Sequence, residues 1–128
     1  MNWIYILFFH TQIQLSNKSK MNNQTTIFES LFEIINERKK SSPEESYVSK
    51  LMYKGTEKIN SKINEEASEV CEAALENDKD HLIYEICDLL FHTFVMAGYK
   101  DITLHDIEAE LQRRFGTSGL TEKAGRKK

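Results

Sequence analysis

Four acidic side chains lie where a helical protein would place its core. Glu66 and Glu69 belong to the stretch KINEEASEVCEAA, Glu85 and Asp88 belong to YEICDLLFH, and small or apolar residues surround both pairs. Carboxylates that share a poorly hydrated place repel one another and resist ionisation unless a positive group lies among them. Since oxygen ligands suit hard divalent cations, the pattern favours a Mg²⁺ site with room for waters and phosphates.

A helical projection separates the acids of the first stretch. At about 100° per residue, Glu66 falls about 20° from Ile59, and Glu69 follows on the same flank together with Lys62. The expected apolar face consists of Ile59, Ile63, Ala67, Val70 and Ala74. The other glutamates point further toward solvent: Glu65, Glu72 and Glu76.

In the second stretch Glu85, Asp88 and His92 form a narrow polar stripe between apolar flanks. Two helices joined by a short turn are usually antiparallel neighbours, so the two acid pairs are expected to face each other. His92 is interpreted as a buried hydrogen-bonding residue rather than a ligand. The alternative for the acids is ordinary surface pairing at i,i+4 spacing. A di-iron bundle is disfavoured because no Glu-x-x-His motif is present.

Hydrophobic periodicity predicts five helices that would position these residues. The first covers about Thr26–Arg38, and the second starts near Ser42 and Pro43 and runs to about Tyr53. The third covers about Glu57–Glu76 with Thr56 as its cap, and the fourth covers about Lys79–Gly98 with Gly98 as its stop. Thr103 is expected to cap the fifth, with Ile107, Leu111 and Phe115 on one face. The tail that follows is polar and rich in Gly, so no helix or strand is predicted there.

The fold class predicted is all-α, a compact helical bundle of about five helices. One Pro and five Gly among 128 residues leave little material for an all-β fold. The fourth helix is apolar almost all round, which favours a bundle completed by dimerisation. Cys71 and Cys87 are interpreted as small core residues of a protein in a reducing cytoplasm.

The formal net charge of -3, without a long basic tract, argues against nucleic-acid binding. The apolar run near the amino terminus is much shorter than the roughly 20 residues that cross a bilayer. It also has no positive charge before it, as a signal peptide would. Residues 1–21 are therefore expected to be a leader outside the folded unit, and residues 22–128 the domain.

The two acidic stretches resemble the signature of MazG-like nucleotide pyrophosphohydrolases, in which E-E-x-x-E is followed one helix later by E-x-x-D. The flanking run SYVSKLMYKGTEKINSKINEEASEV resembles more narrowly the phosphoribosyl-ATP pyrophosphohydrolase pattern. EICDLLFH is similar to its E-x-x-D-L-x-[YF]-H, and SGLTEKAGR to its closing segment. The residues that match the run are Ser46, Tyr47, Leu51, Gly55, Ile59, Lys62, Glu65, Glu66 and Glu69. Asn64 departs from it, standing where Gly is common.

The resemblance implies a dimeric, Mg²⁺-dependent enzyme that hydrolyses phosphoribosyl-ATP to phosphoribosyl-AMP and pyrophosphate, the second step of histidine biosynthesis. In our hypothesis water attacks the α–β phosphoanhydride, and catalytic roles fall to Glu65, Glu66 and Glu69. The expected metal ligands are Glu66, Glu69, Glu85 and Asp88. The expected substrate-binding residues are Lys62, Lys50, Lys54, Arg113 and Arg114. Lys62 has two open readings, a phosphate contact or a structural salt bridge with Glu66.

Two other functions stay open at this point. One is a house-cleaning enzyme of the same superfamily that hydrolyses noncanonical or deoxynucleoside triphosphates by the same reaction. The other is a non-enzymatic helical module that uses the apolar fourth helix as a dimer seam. A panel of substrates distinguishes the first, and a Mg²⁺ titration the second, because only a binding site stabilises the native state.

Overall fold

The computed structural model describes residues 25–116 and 119–126. These residues form helices α1 (Ile27–Lys39), α2 (Tyr47–Lys54), α3 (Thr56–Ala73), α4 (Lys79–Tyr99), α5 (Leu104–Arg114) and α6 (Gly119–Gly125), and they include no strand. The all-α fold class is therefore confirmed. The expected leader, residues 1–21, lies outside the described part of the chain.

Side chains that bind free backbone amides start several of these helices. The Thr26 hydroxyl accepts from the Glu29 amide at 3.2 Å, and the Glu29 carboxylate accepts from the Thr26 amide at 2.9 Å. Thr103 and Asp106 form the same reciprocal box at the start of α5, as the sequence predicts for Thr103. Asp78 caps α4 by accepting from the His81 amide at 3.0 Å.

The second and third helices begin differently from the prediction. Residues 43–45 form a turn, and α2 starts only at Tyr47 because the Ser46 hydroxyl caps it by accepting from the Ser49 amide. Thr56 is not a cap but the first residue of α3. The residue before it, Gly55, has a φ of +85°, in the left-handed region that favours glycine. At its other end α3 stops at Ala73, three residues earlier than expected.

The prediction that Gly98 stops the fourth helix is also wrong. Helix α4 continues to Tyr99, and Asp101 ends it with a φ of 58°. The Asp101 and Ile102 amides donate to the carbonyls of Gly98 and Ala97, which is the hydrogen-bond pattern of a Schellman motif. Gly98 is required for packing, because a Cβ atom there would lie 2.8 Å from Ile35 Cγ2.

Helices α3 and α4 form the most extensive helix pair, and α1 and α2 cover one end of it. The core at that end comes from all four helices: Phe32, Ile35, Val48, Leu51, Met52, Ile59, Phe91, Phe94, Val95 and Ala97. Contacts between Glu76 and His81 near the turn, and between Glu66 and His92 further away, show that α3 and α4 are antiparallel. Both helices continue beyond this core, and the acidic residues lie on that continuation.

Several predicted core positions are exposed in the single chain. Cys71 and Cys87 are exposed free thiols, so their interpretation as core residues is wrong. On α3 the buried alanine is Ala73, and Ala74 is exposed. On α5 Leu111 and Phe115 are exposed, because that helix packs mainly against α1 near its first turns. The tail forms the short helix α6 where none was expected.

Among the described helices, α4 alone is long and apolar enough to cross a membrane by length and composition. A core helix of a globular domain has the same properties. The buried face of α4 contains Glu85, Asp88 and His92 besides its apolar residues, and it packs against α1, α2 and α3. The bundle therefore covers that face of α4, whereas Ile83, Ile86 and Leu90 on its other side are exposed.

Candidate metal and nucleotide site

The site is built where the buried stripes of α3 and α4 meet. On α3 the buried residues recur every seven positions, at Ile59, Glu66 and Ala73, so the glutamate lies in the middle of the stripe. Helix α4 contributes Glu85 and Asp88 from adjacent turns. One carboxylate oxygen from each of the three acids lies within 4.8 Å of the others. All three side chains are buried, and each of these residues is at most 5% exposed.

Two oxygens of this cluster have no hydrogen-bond partner within the described part of the chain. They are Glu66 Oε2 and Glu85 Oε2, and both are fully buried. Glu69, which is half-buried one turn beyond Glu66, adds a fourth carboxylate, whose proximity raises the pKa of both Glu66 and Glu85. An unpaired buried carboxylate oxygen is costly, so this arrangement requires protons or a cation. The donor set consists of oxygens only, which suits a hard divalent ion.

The electrostatics of the cluster agree with this requirement. Burial, together with the neighbouring Glu69 and Asp88, raises the pKa of Glu66 to about 7. Burial and the charges of Glu85 and Glu69 raise the pKa of Asp88 to about 6, and burial also raises the pKa of Glu85. Without a cation, the cluster holds on to protons near neutral pH. A bound cation would displace them, because coordination requires ionised carboxylates.

Lys62 and Glu65 form the rim of the site. The Lys62 ammonium lies 2.8 Å from Glu65 Oε2 and 3.5 Å from Glu66 Oε1. The hydrogen bond from Lys62 lowers the pKa of Glu65, whose side chain is 52% exposed. Burial alone would lower the pKa of Lys62, but its carboxylate neighbours raise it overall. The predicted salt bridge with Glu66 is therefore present, and the Lys62 charge also lies next to the cluster.

His92 and Tyr47 connect the cluster to α2. His92 Nδ1 donates to the Asp88 carbonyl at 2.7 Å, and the Tyr47 hydroxyl lies 2.8 Å from His92 Nε2. A carbonyl only accepts, so in the neutral ring Nε2 accepts the Tyr47 proton. Burial lowers the pKa of His92, which favours that neutral ring, and raises the pKa of Tyr47 to about 12. The hydrogen-bonding role expected for His92 is present. Helical spacing gave no signal for Tyr47, which lies on another element.

His81 was not singled out by the sequence reasoning, yet it contacts the cluster. Its Nε2 lies 3.1 Å from Glu85 Oε1, and its Nδ1 lies 2.8 Å from Glu76 Oε2. The hydrogen bond to Glu76 raises the pKa of His81 above its ordinary value. The sequence feature that indicates this contact is the position of His81 four residues, about one helical turn, before Glu85. Glu76, expected to be solvent-side, is exposed as predicted.

The remaining predicted substrate-binding residues are exposed. Lys50 and Lys54 lie on α2, the helix that carries Tyr47. Arg113 and Arg114 both pair with Glu110 on α5 at 2.8 Å, and these bonds hold the pKa of Glu110 at about 2. Since α5 packs mainly against α1, the structure does not place the two arginines with the acidic cluster.

Comparison with known proteins identifies the family to which this site belongs. The family model described as "Phosphoribosyl-ATP pyrophosphohydrolase" matches residues 28–115, which include every acid of the cluster. The chain belongs to the phosphoribosyl-ATP pyrophosphohydrolase family. The resemblance predicted from the sequence is thereby confirmed.

Individual members of the phosphoribosyl-ATP pyrophosphohydrolase family cover most of the chain. The phosphoribosyl-ATP pyrophosphatase of Geobacter metallireducens is 46% identical over 108 residues, which are 84% of this chain and 99% of the relative. That of Neisseria gonorrhoeae is 44% identical over 101 residues, 79% of this chain and 94% of the relative. That of Ruthia magnifica is 48% identical over 96 residues, which are 75% of this chain and 91% of the relative.

Proposed function

We propose that this protein is a phosphoribosyl-ATP diphosphatase that hydrolyses phosphoribosyl-ATP to phosphoribosyl-AMP and pyrophosphate, in histidine biosynthesis. The observation that carries the proposal is the buried cluster of Glu66, Glu85 and Asp88 in a chain of this family, with two oxygens that no group in the described part of the chain pairs. Relatives named phosphoribosyl-ATP pyrophosphatase support the choice of substrate. Both cysteines are free thiols, which suits the cytoplasm as its compartment.

We propose Mg²⁺ as the cofactor, held by Glu66, Glu85 and Asp88 together with Glu69. Glu66 Oε2 and Glu85 Oε2, which accept no hydrogen bond from the described residues, fit this assignment. A bound cation would supply the positive partner that these buried oxygens need. When bound, the ion would supply charge that offsets the triphosphate and the departing pyrophosphate. The apolar surroundings strengthen that effect because they exclude water.

The rim residues have roles that follow from their charge and exposure. Glu65, whose pKa Lys62 lowers further below neutrality, is ionised near neutral pH, and it is exposed enough to hold a water molecule by hydrogen bonding. We assign Glu65 to orienting the water that attacks the α–β anhydride. The Lys62 ammonium, anchored between two glutamates, can also donate to a phosphate oxygen. We also assign phosphate binding to Lys50 and Lys54, two exposed lysines on α2.

A product assay tests the reaction. The purified chain with Mg²⁺ and phosphoribosyl-ATP should release pyrophosphate and phosphoribosyl-AMP in equal amounts, and EDTA should stop the release. A parallel panel of deoxynucleoside triphosphates tests the house-cleaning alternative. Faster turnover of any member of that panel would contradict the proposed substrate, and no turnover together with no Mg²⁺ binding would favour a non-enzymatic module.

We further propose that the protein is a homodimer that buries the outer face of α4. This face is opposite the acidic stripe and carries Ile83, Ile86 and Leu90, which are 48%, 41% and 37% exposed. An exposed apolar stripe of this kind is typical of an interface. Light scattering measures the molecular mass in solution. Ile86→Glu should shift the protein from dimer to monomer. Leu75→Glu, at an 89% exposed residue near the turn, is the control and should leave the dimer intact. A monomeric parent protein would contradict the proposal.

A further inference from the structure

His81 joins two carboxylates at the turn between α3 and α4. Its two ring nitrogens lie 2.8 Å from Glu76 Oε2 and 3.1 Å from Glu85 Oε1. Ionised carboxylates only accept hydrogen bonds, so both ring nitrogens donate when a bound cation keeps Glu85 ionised. The mechanism proposed above uses neither His81 nor Glu76. The bridge therefore needs an explanation of its own.

We propose that His81 is a positioning residue for the metal site: it holds the outer oxygen of Glu85, so that the inner oxygen is directed into the acidic cluster. This inference rests on the proposed Mg²⁺ site. The different environments of the two Glu85 oxygens support it, because Oε1 is bound by His81 whereas Oε2 is buried and has no partner among the described residues. Hydrogen bonds to the non-coordinating atoms of ligands commonly fix their orientation.

The geometry explains why Glu85 needs such a partner. Its carboxylate lies beside Glu66 and Asp88 in the cluster, and the charges of Glu69 and Asp88 oppose its ionised form. A carboxylate free to rotate would turn away from these neighbours. The donor on His81 lies one helical turn before Glu85 and acts against that rotation.

Glu76 makes the positioning group rigid. An imidazole held at one nitrogen can swing about its side-chain bonds, but the short contact to Glu76 fixes the second nitrogen. Glu76 can reach His81 because α3 ends at Ala73 and the chain turns before it. With both nitrogens donating, the imidazole is positive and would also repel a cation. The His81 side chain is 41% exposed, so solvent screens that repulsion, whereas the orienting contact is short-range.

The test is a Mg²⁺ titration of the full chain by calorimetry, with activity measured in parallel. His81→Ala should raise the Kd for Mg²⁺ about 10-fold. His81→Gln keeps an N–H donor one turn from Glu85 and should recover most of that loss. At saturating Mg²⁺ both variants should have kcat near that of the parent, with the change confined to the KM for Mg²⁺. His105→Ala, at an exposed histidine on α5, is the matched control and should change nothing.

Different outcomes separate the two proposals. If the parent binds no Mg²⁺, the metal assignment fails and this inference fails with it. If the parent binds Mg²⁺ but His81→Ala binds it equally well or more tightly, only the positioning role is overturned. A Gln variant as weak as the Ala variant would also overturn it, because the proposed hydrogen bond would then not be responsible. Melting curves in EDTA check that each variant is folded.

Discussion

The two ends of the α3–α4 pair contain similar helical surfaces but opposite chemistry. At one end Ile59, Phe91 and Val95 pack under α1 and α2, and the result is an ordinary apolar core. At the other end the same two stripes present Glu66, Glu85 and Asp88, which are equally buried, and two of their oxygens have no partner in residues 25–116 and 119–126. The comparison shows that burial alone does not indicate stabilisation: the first end stabilises the fold, and the second is available to bind a ligand.

The largest effect is expected from removing a carboxylate of the acidic end. Glu69→Gln should reduce Mg²⁺-dependent pyrophosphate release by about 100-fold or more, because a ligand matters at least as much as the groups that orient it. The fold should persist, since the change relieves repulsion. Glu72→Gln, at an exposed position one turn further along α3, is the control and should keep full activity. Near-normal activity of Glu69→Gln would contradict the metal assignment.

A cavity at the apolar end should have the opposite consequence. Ile59→Ala removes a fully buried side chain and should lower the free energy of unfolding by about 2–5 kcal/mol. The Mg²⁺ affinity of the molecules that remain folded should be unchanged. Urea denaturation measures the first quantity and calorimetry the second. Ile27→Ala, at a 66% exposed residue of α1, serves as the control and should be close to neutral.

A smaller effect is expected where α4 crosses α1. Gly98→Ala gains helix propensity of about 1 kcal/mol but places a methyl group 2.8 Å from Ile35 Cγ2. Overpacking typically costs about 1–3 kcal/mol, so we expect a net loss of stability of about 1 kcal/mol. Urea denaturation detects a change of this size. Gly119→Ala, where a Cβ meets no atom within 4 Å, should not be destabilising, and an equal loss there would contradict the packing argument.

The last prediction concerns pH and sharpens the description of the acidic end. The pKa of Asp88 is raised from 3.8 to about 6, so the folded protein binds more protons than the unfolded chain within that window. Its contribution to stability is present below pH 3.8 and is lost as pH rises through 6. In EDTA the melting temperature of the parent should therefore fall relative to that of Asp88→Asn as pH rises from 4 to 7. Stabilisation by Mg²⁺ should grow over the same range.

Melting curves of both proteins at several pH values, with EDTA and with Mg²⁺, measure these shifts. A difference between the parent and Asp88→Asn that does not change with pH would show that the pKa of Asp88 is the same in the folded and unfolded states in the absence of metal. The raised pKa of Asp88 would then be wrong, although the ligand assignment would still depend on the titration with Mg²⁺.

Helix existence could be predicted from the sequence, but several helix ends could not. Periodicity and the Thr26 and Thr103 caps are local features, and those helices start as expected. Gly98 has the appearance of a local stop signal. Its role depends instead on Ile35, a residue from another helix, while Asp101 forms the turn that ends α4. The exposure of Cys71 and Cys87 likewise depends on which faces the neighbouring helices leave uncovered.

By itself the sequence determined the all-α class, the family and the two acid pairs, because helical periodicity and motif spacing are properties of one segment at a time. The tertiary structure alone decided which acids are buried together and which groups surround them. Tyr47 on α2 bonds to His92 on α4, and a carboxylate oxygen of Glu66 on α3 lies within 4.8 Å of those of Glu85 and Asp88 on α4. The physical reason is that burial and hydrogen bonding depend on distances between helices, which only packing sets.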